Sequence, residues 1–183
     1  MIGPVVHGPA VLSPVMLIGQ APGPHEGKFG RPFAWTAGKT LFRWFEEQVG
    51  IPEDRFRDRV YIAAVGRCFP GKAKGGGDRK PDAVEIEACR PFLAKEVSIL
   101  KPQLIIPVGT MAIEQVLGRK APLAELIGKR LEVTYHGHST EVICLPHPSG
   151  ASTWFKMEPG KSLTVQALQL LARHPQLTAI RGG

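Results

Sequence analysis

Four short apolar runs, each followed by a glycine or a polar segment, set the pattern of this 183-residue chain. The stretches between them carry apolar residues at helical spacing, so strand-like and helix-like segments alternate. Such alternation predicts a parallel sheet with helices on both faces. The four runs are residues 15–18, 60–65, 104–108 and 141–145. We therefore expect an α/β fold, a three-layer α/β/α sandwich around a central, mainly parallel four-stranded sheet.

The helices are expected between and after these runs, over residues 37–49, 83–100, 110–117 and 159–173. Asp82 and Thr110 are the expected N-terminal caps of the second and third helices, because their side-chain oxygens can accept from the first free N–H groups. Gly118 is expected to end the third helix. Residues 51–58, IPEDRFRD, predict a turn, and residues 132–135 predict a small edge strand.

Composition indicates a globular protein of one domain. With 43% hydrophobic and 21% charged residues, residues 1–183 suffice for a single domain with a sizeable core. No apolar run approaches the roughly 20 residues that span a bilayer, so we expect a cytoplasmic protein without membrane contact. The formal charge of +7 favours an anionic partner.

Cysteine usage argues against a disulfide framework. The three cysteines form no CxxC pair and are too few for a four-cysteine metal site, so we expect reduced thiols. His136 and His138 flank Gly137 and would share one face of a strand, which is a weak metal signal. The sequence thus predicts no metal and no cofactor.

The ends of the four apolar runs all carry polar residues. In a parallel sheet with helices on both faces, ligands bind beyond the carboxyl ends of the strands. We therefore expect these segments to meet on one rim and to form a functional site. They are residues 20–33, Arg67 with the loop after it, Gly109 with Thr110, and His147 with Ser149.

The loop over residues 71–81 is rich in glycine and basic residues. Such a loop suits contact with phosphates, because ammonium groups can follow a nucleic-acid backbone without a fixed geometry. A solvated surface loop without a binding function stays open as an alternative. Neither a P-loop nor a GxGxxG motif is present. The basic side chains are Lys72, Lys74, Arg79 and Lys80.

Several of these segments together resemble the uracil-DNA glycosylase superfamily. GQAPGPHEGKFGRPF, residues 19–33, is similar to the family 4 motif GEAPGxxEDxxGRPF and to the family 5 motif GLAPAxHGxxxxGRPF. VYIAAVGRCFP resembles the second-strand segment of both families, and EIEACRPFL resembles the helix that follows. LPHPSGAS resembles the closing HPS motif. The matches keep the family's order from about residue 17 to residue 155.

The resemblance implies a DNA repair glycosylase that flips uracil out of DNA and hydrolyses its N-glycosidic bond. Phe33 would stack on the flipped base, and His147 would donate a hydrogen bond to uracil O2. Glu26 is the first choice to orient or activate the attacking water, with His25 as the competing base; Gln20 would hold the water or the base edge. Core packing for Phe33, a spacer role for His147 and a solvated charge for Glu26 stay open. The implied substrate-binding residues are Gly19, Gln20, Ala21, Phe33, Ala64, His147 and Ser149.

Several positions differ from the family motifs, and these differences change what we expect of the cofactor and of the base range. Family 4 binds an iron–sulfur cluster through four cysteines, but only Cys68 and Cys89 match ligand positions, so we expect no cluster. Packing or salt bridges from residues such as Arg67 and Arg90 would then hold this loop. Ala64 replaces the family 4 asparagine that reads uracil, so a broader range of deaminated bases, hypoxanthine and xanthine included, is an alternative. Thr36 stands where family 5 has an aspartate.

The resemblance also implies uracil-containing DNA, single- or double-stranded, as the partner of a monomeric protein. Ala151 aligns with the family's wedge residue, but a methyl group is a poor wedge, so Trp154 or Phe155 is the candidate to fill the vacated stack. Packing of this aromatic pair against the sheet stays open as an equal alternative. A catalytically silent lesion-binding protein and a flavodoxin-like nucleotide-binding enzyme stay open as alternatives. The expected DNA contacts are Arg67, Lys72, Lys74, Arg79, Lys80, Ser149, Gly150, Ala151, Ser152, Trp154 and Lys156.

Overall fold

A five-stranded sheet forms the centre of the molecule. The computed structural model describes residues 1–183. The strand order across the sheet is β2-β1-β3-β5-β4. Pairing is parallel between β1 and β2, β1 and β3, and β3 and β5, and antiparallel only between β4 and β5. The strands are β1 Val15–Gly19, β2 Tyr61–Ala64, β3 Leu104–Pro107, β4 Leu131–Tyr135 and β5 His138–Val142.

The strand count corrects the expectation of four strands. The extra strand β4 is the edge strand that the sequence suggested, and it forms a hairpin with β5. Its two turn residues, His136 and Gly137, both have positive φ, 47° and 77°, which is typical of a type I′ turn. β5 starts earlier than predicted, since its first residues, 138–140, are polar and pair only with β4 in the hairpin. The sandwich of helices around a mainly parallel sheet is confirmed.

Eight α-helices connect or flank the strands. They are α1 Glu26–Phe29, α2 Thr36–Trp44, α3 Glu53–Arg59, α4 Ala83–Leu100, α5 Thr110–Leu117, α6 Leu123–Leu126, α7 Gly160–Ala172 and α8 Pro175–Gly182. None of them has the length and apolar character needed to cross a bilayer. Asp82 caps α4 as expected, in a capping box with Glu85. Thr110 is not the cap of α5; Gly109 holds that position and Thr110 is the first helical residue. Gly118 ends α5 in the left-handed conformation, as expected.

The prediction over residues 51–58 was wrong. This segment is not a turn but α3, which has acidic residues in its first turn and basic residues in its last. Such charges complement the helix dipole. The sequence shows no apolar periodicity here, because the helix buries only Phe56 and Arg57. The helix expected over residues 37–49 is present but changes to a π-helical turn at Phe45–Val49. Helices α1, α6 and α8 were not predicted.

The core follows the sheet and brings the strand ends together. A single cluster of 34 buried hydrophobic residues includes every apolar side chain of β1. Beyond β3 and β5, Val108 and Leu145 pair as an isolated parallel bridge. The Gly109 N–H then donates to the Leu145 carbonyl at 2.9 Å. This pairing carries the segment after Leu145 to the same rim as the end of β1.

Candidate active site

A cavity of about 450 Å³ opens at the carboxyl ends of the parallel strands. Five separate parts of the chain contribute to it: the segment after β1, the end of β2, the loop before α4, Thr110 after β3, and the segment after β5. The convergence that the parallel sheet predicted is therefore present. The predicted site residues that line the cavity are Gly19, Gln20, Ala21, His25, Glu26, Phe33, Ala64, Arg79, Lys80, His147, Ser149, Ala151 and Ser152.

Phe33 lies on one wall of the cavity in a strained backbone conformation. Its φ is +55°, a region that costs a non-glycine residue about 1–3 kcal/mol. The ring packs directly on Gly19, where an added Cβ would lie 2.8 Å from Phe33 Cζ. Gly38 is equally constrained, because a Cβ there would lie 1.7 Å from the Phe33 carbonyl oxygen. The two glycines thus allow the phenyl ring to sit at the end of β1.

Arg57 holds the strained segment in place, and the sequence analysis did not find it. This buried side chain donates from Nη1 to the Pro32 carbonyl and from Nη2 to the Phe33 carbonyl, each at 3.0 Å. Its Nε donates to Glu53 Oε1 at 2.8 Å. The guanidinium also lies 4.4 Å from the Phe42 ring centroid. Arg57 is therefore a positioning residue for the Phe33 wall.

Glu26 is a buried carboxylate rather than a solvated charge. Its Oε2 accepts from the Gly23 N–H at 2.6 Å, and its Oε1 accepts from the Ala34 N–H at 3.1 Å. Burial raises the pKa of Glu26 above its ordinary value, while these backbone hydrogen bonds and the Arg57 charge oppose the shift. The carboxylate thus ties both ends of the loop together and also lines the cavity.

His147 faces the cavity with a defined tautomer. The Ser149 N–H lies 3.2 Å from its Nδ1, and because an amide can only donate, Nδ1 must be the acceptor. In the neutral ring the proton is therefore on Nε2. Burial lowers the pKa of His147, and the charge of Lys80 lowers it further. An added Cβ at Gly109 would lie 3.0 Å from the ring, so this glycine gives the imidazole its space.

The end of β1 supplies polar groups beside a small apolar side chain. Gln20 lines the cavity, and its carbonyl accepts from the Gly66 N–H at 2.8 Å. No loop hydrogen bond uses the backbone N–H of Gln20 or Ala21 as donor, so both can bind a ligand oxygen. Ala64 lies opposite Gly19 in the register of β1 and β2 and offers only a methyl group.

His25 and Trp35 stand at the mouth of the cavity. Their ring centroids are 4.7 Å apart, and both residues line the cavity and are exposed to solvent. The sequence analysis identified His25 but not Trp35. The one available signal was an aromatic residue two positions after the GRPF motif, in a polar loop where core packing does not require one.

The glycine-rich basic loop is more ordered than its composition suggests. Lys72 and Asp78 pair as an antiparallel bridge, and their side chains meet at 2.6 Å. Arg79 lies beside the cavity, but its guanidinium binds Glu85 at 2.7 Å and also the Pro70 carbonyl. Lys80 reaches the cavity, whereas Lys74 is exposed and lies outside its lining. The loop therefore presents fewer free cations than its sequence suggests.

The structure does not bring Arg67 to the cavity. Arg67 is buried and forms an ion pair with Glu96, which also accepts from the Tyr61 hydroxyl at 2.6 Å. We therefore remove Arg67 from the expected DNA contacts, since a buried and paired guanidinium cannot meet a phosphate. Its pairing does fit the expected role in holding the loop that follows β2. Arg90 does not hold that loop, because it pairs with Glu87 on the surface of α4.

The aromatic residues after the HPS segment are engaged in packing. Trp154 packs against the core, and a Cβ on Gly160 would lie 2.7 Å from its ring. Phe155 meets Trp44 edge to face with centroids 5.0 Å apart. Neither aromatic residue lines the cavity, so neither is positioned to fill the space that a flipped nucleotide leaves in the duplex. Gly150 and Lys156 also lie outside the lining, exposed on the same segment.

The residues present do not fit an iron–sulfur cluster. The chain has three cysteines, and no group of three or more His, Cys, Asp or Glu side chains could hold a metal. The segment after β2 is held by the N-terminal residues. The Ile2 N–H donates to the Phe69 carbonyl at 2.6 Å, and the Val6 N–H donates to the Arg67 carbonyl at 2.8 Å.

A comparison with known protein families decides the family. A model described as the uracil DNA glycosylase superfamily matches residues 5–172. The chain belongs to the uracil DNA glycosylase superfamily. This membership confirms the resemblance that the sequence motifs indicated, and it accounts for a cavity formed by the first motif together with the HPS segment.

Curated relatives in this superfamily are of two types. The Type-4 uracil-DNA glycosylase of Pyrobaculum aerophilum is 34% identical over 139 residues, covering 74% of this chain and 66% of that protein. The Type-4 enzyme of Sulfurisphaera tokodaii is 32% identical over 143 residues, covering 75% and 60%. The Type-5 uracil-DNA glycosylase of Pyrobaculum aerophilum is 26% identical over 141 residues, covering 67% and 60%. The chain thus spans 60–66% of the length of these relatives.

Proposed function

We propose that this chain removes uracil from DNA by hydrolysing the N-glycosidic bond and leaves an abasic site. The observation that carries the proposal is the meeting of Phe33, His147, Gln20 and Glu26 around one cavity at the strand ends. Members of the same superfamily, the curated relatives at up to 34% identity, are named uracil-DNA glycosylases. Their names support the proposal, and the shared motifs supply the residue roles.

Base binding is the first step of the proposed reaction. An enzyme that acts on a base in duplex DNA must first flip the nucleotide out, at a cost that is lowest for a mispaired base. Phe33 would offer its ring face to the flipped uracil. The contact is pre-formed, because Arg57 already holds the Phe33 backbone in its strained conformation. Stacking of a base on an aromatic ring contributes about 1–3 kcal/mol.

His147 would stabilise the departing base. When the C1′–N1 bond breaks, its electron pair moves to the uracil ring, and negative charge develops at O2. The Nε2–H of His147 can donate to that oxygen, since the Ser149 N–H fixes the proton on Nε2. The free N–H groups of Gln20 and Ala21 provide two further donors. A single donor aimed at developing charge contributes about 3–4 kcal/mol to transition-state stabilisation.

A water molecule would complete the reaction at C1′ and pass one proton to a base. Glu26 is our first choice, because it lines the cavity and its two oxygens have about four lone-pair sites, more than its backbone N–H partners occupy. His25 is the competing base, exposed at the mouth of the cavity. Gln20 can orient the water by hydrogen bonding but cannot take its proton.

The DNA backbone would be met by cations around the cavity. Lys80 lies at the cavity, and Lys74 projects from the basic loop without an acidic partner. Ser149 and Ser152 offer hydroxyl groups on the opposite segment. We rank Lys72 and Arg79 below Lys74 and Lys80 as phosphate contacts, because both already pair with acidic side chains. Replacing Lys74 should reduce the salt dependence of DNA binding.

A broader base range is the second candidate function. Ala64 gives the cavity wall a methyl group where a side-chain amide would select uracil over other bases. Without that selection, hypoxanthine and xanthine fit the same donors, because each presents a carbonyl oxygen. Excision from oligonucleotides that carry uracil, hypoxanthine, xanthine or mismatched thymine measures this range directly.

Incubation with uracil-containing oligonucleotides followed by alkali tests the proposal. A glycosylase leaves an abasic site, so alkali cleaves the strand at that position. Cleavage that depends on the uracil supports the proposal. Tight binding without cleavage would indicate a silent lesion-binding protein. Binding of free mononucleotides without affinity for DNA would indicate a different nucleotide-binding enzyme.

The proposal includes a single domain over residues 1–183 that acts as a monomer on cytoplasmic DNA without a bound cofactor. The residues named for the reaction all belong to one cavity of one chain, so the chemistry requires no second copy. Size-exclusion chromatography with light scattering, with and without DNA, measures the oligomeric state.

A further inference from the structure

Three aromatic rings form an exposed group at the mouth of the cavity. Trp35 is 45% exposed and Phe29 is 50% exposed. Their centroids are 6.0 Å apart with planes inclined by 26°, and the His25 ring centroid lies 4.7 Å from that of Trp35. We call Phe29, Trp35 and His25 the aromatic platform. Exposed rings of this size contribute little to the core, so packing does not explain them.

The platform is continuous with the cavity and is held in position. His25 and Trp35 both line the cavity. Glu26 accepts from the N–H of Ala34, the residue directly before Trp35, and the Trp35 carbonyl accepts from the Lys39 N–H at 3.1 Å. The indole is therefore attached to the same framework as the Phe33 wall, and little ordering is needed when a ligand binds.

The charges around the platform favour a nucleic-acid strand. Within residues 25–35 the exposed charged side chains are Lys28 and Arg31, and the only carboxylate, Glu26, is buried. Aromatic faces beside cations bind single-stranded nucleic acid, because each base stacks on a ring while the phosphates meet the positive charges. An acidic protein segment would use the cations but would leave the ring faces without a matching partner.

We propose that the aromatic platform stacks an unpaired nucleobase that neighbours the flipped nucleotide on the same DNA strand. The site then favours single-stranded DNA or a locally opened duplex, in which that neighbouring base is free to stack. The identity of the flipped nucleotide rests on the proposed function. The stacking itself depends only on the geometry of the rings and their charges.

The first test measures binding of a short oligothymidylate without uracil by fluorescence anisotropy. Trp35→Ala should weaken binding about tenfold, as expected for the loss of one stacked base, and Trp35→Phe should retain most of the affinity. Phe92→Ala is the matched control, since Phe92 is an aromatic residue on α4 with 58% exposure outside the cavity lining. Equal affinity of Trp35→Ala and the wild type would overturn the proposal.

The second test separates stacking from a structural effect. Single-strand substrates carry uracil between normal nucleotides or between base-free tetrahydrofuran residues. Trp35→Ala should raise KM about tenfold on the first substrate and leave KM unchanged on the second. The same increase in KM on both substrates would overturn the proposed stacking on the aromatic platform. If the wild type releases no uracil at all, the proposed function fails, and the anisotropy measurement still decides the platform.

Discussion

Replacing Arg57 with methionine should destabilise the protein by about 3–4 kcal/mol, because it removes hydrogen bonds that no other group can supply. Two of these bonds go to the carbonyls of Pro32 and Phe33, and a hydrogen bond to a charged group contributes about 1.5–3 kcal/mol. The pair with Glu53 adds about 0–1 kcal/mol, since that carboxylate is 40% exposed. Methionine restores part of the packing on Phe42, so the expected loss of unfolding free energy lies at the lower end of these summed contributions.

Urea unfolding followed by circular dichroism measures this loss, and the midpoint of thermal unfolding should fall by roughly 10 °C. Arg59→Met is the matched control on the same helix, because its side chain is exposed, and it should stay within about 0.5 kcal/mol of the wild type. Arg57→Met should also raise KM for uracil excision, because the strained Phe33 backbone relaxes once its carbonyl is released. An unfolding free energy equal to that of Arg59→Met would refute the role of Arg57.

Three further predictions concern the cavity. His147→Ala should slow single-turnover excision by about two to three orders of magnitude, and an unchanged rate would remove His147 from the reaction. Gly38→Ala should destabilise the fold by about 1–3 kcal/mol or more, since its methyl group meets the Phe33 carbonyl, whereas Gly150→Ala, which meets open space, should be neutral in the same urea titration. The excision rate should fall as the pH decreases through the pKa of Glu26, which burial raises above 4.5. Below that pKa the carboxylate is protonated and can no longer accept the proton of the water. At pH values above the ordinary pKa range of histidine the rate should stay level, since the lowered pKa leaves His147 neutral there; a loss of rate above that range that His147→Ala abolishes would contradict the assignment.

Local signals in the sequence were sufficient for most elements of the fold. Asp82 begins α4 as predicted, because a capping box is set by residues that are only three positions apart. The meeting of the strand ends was also predictable, since parallel strands place their carboxyl ends on one edge whatever their side chains. His147 and Phe33 therefore share a cavity although they lie far apart along the chain.

Arg57 shows what the sequence did not reveal. Its contacts reach Phe33, 24 residues away, and nothing in the local pattern of residues 51–58 indicates them. The positive φ of Phe33 was likewise invisible, because glycine is the usual residue in that conformation. The exclusion of Arg67 from the cavity depended on Glu96, a partner that only tertiary packing brings close.

A crystal structure with free uracil bound would test the central claim most directly, namely that Phe33 and His147 face one base in one cavity. We expect the uracil ring to lie flat against the Phe33 ring, with O2 within hydrogen-bond distance of His147 Nε2. Uracil bound at another place, or an imidazole turned away from the base, would contradict the account.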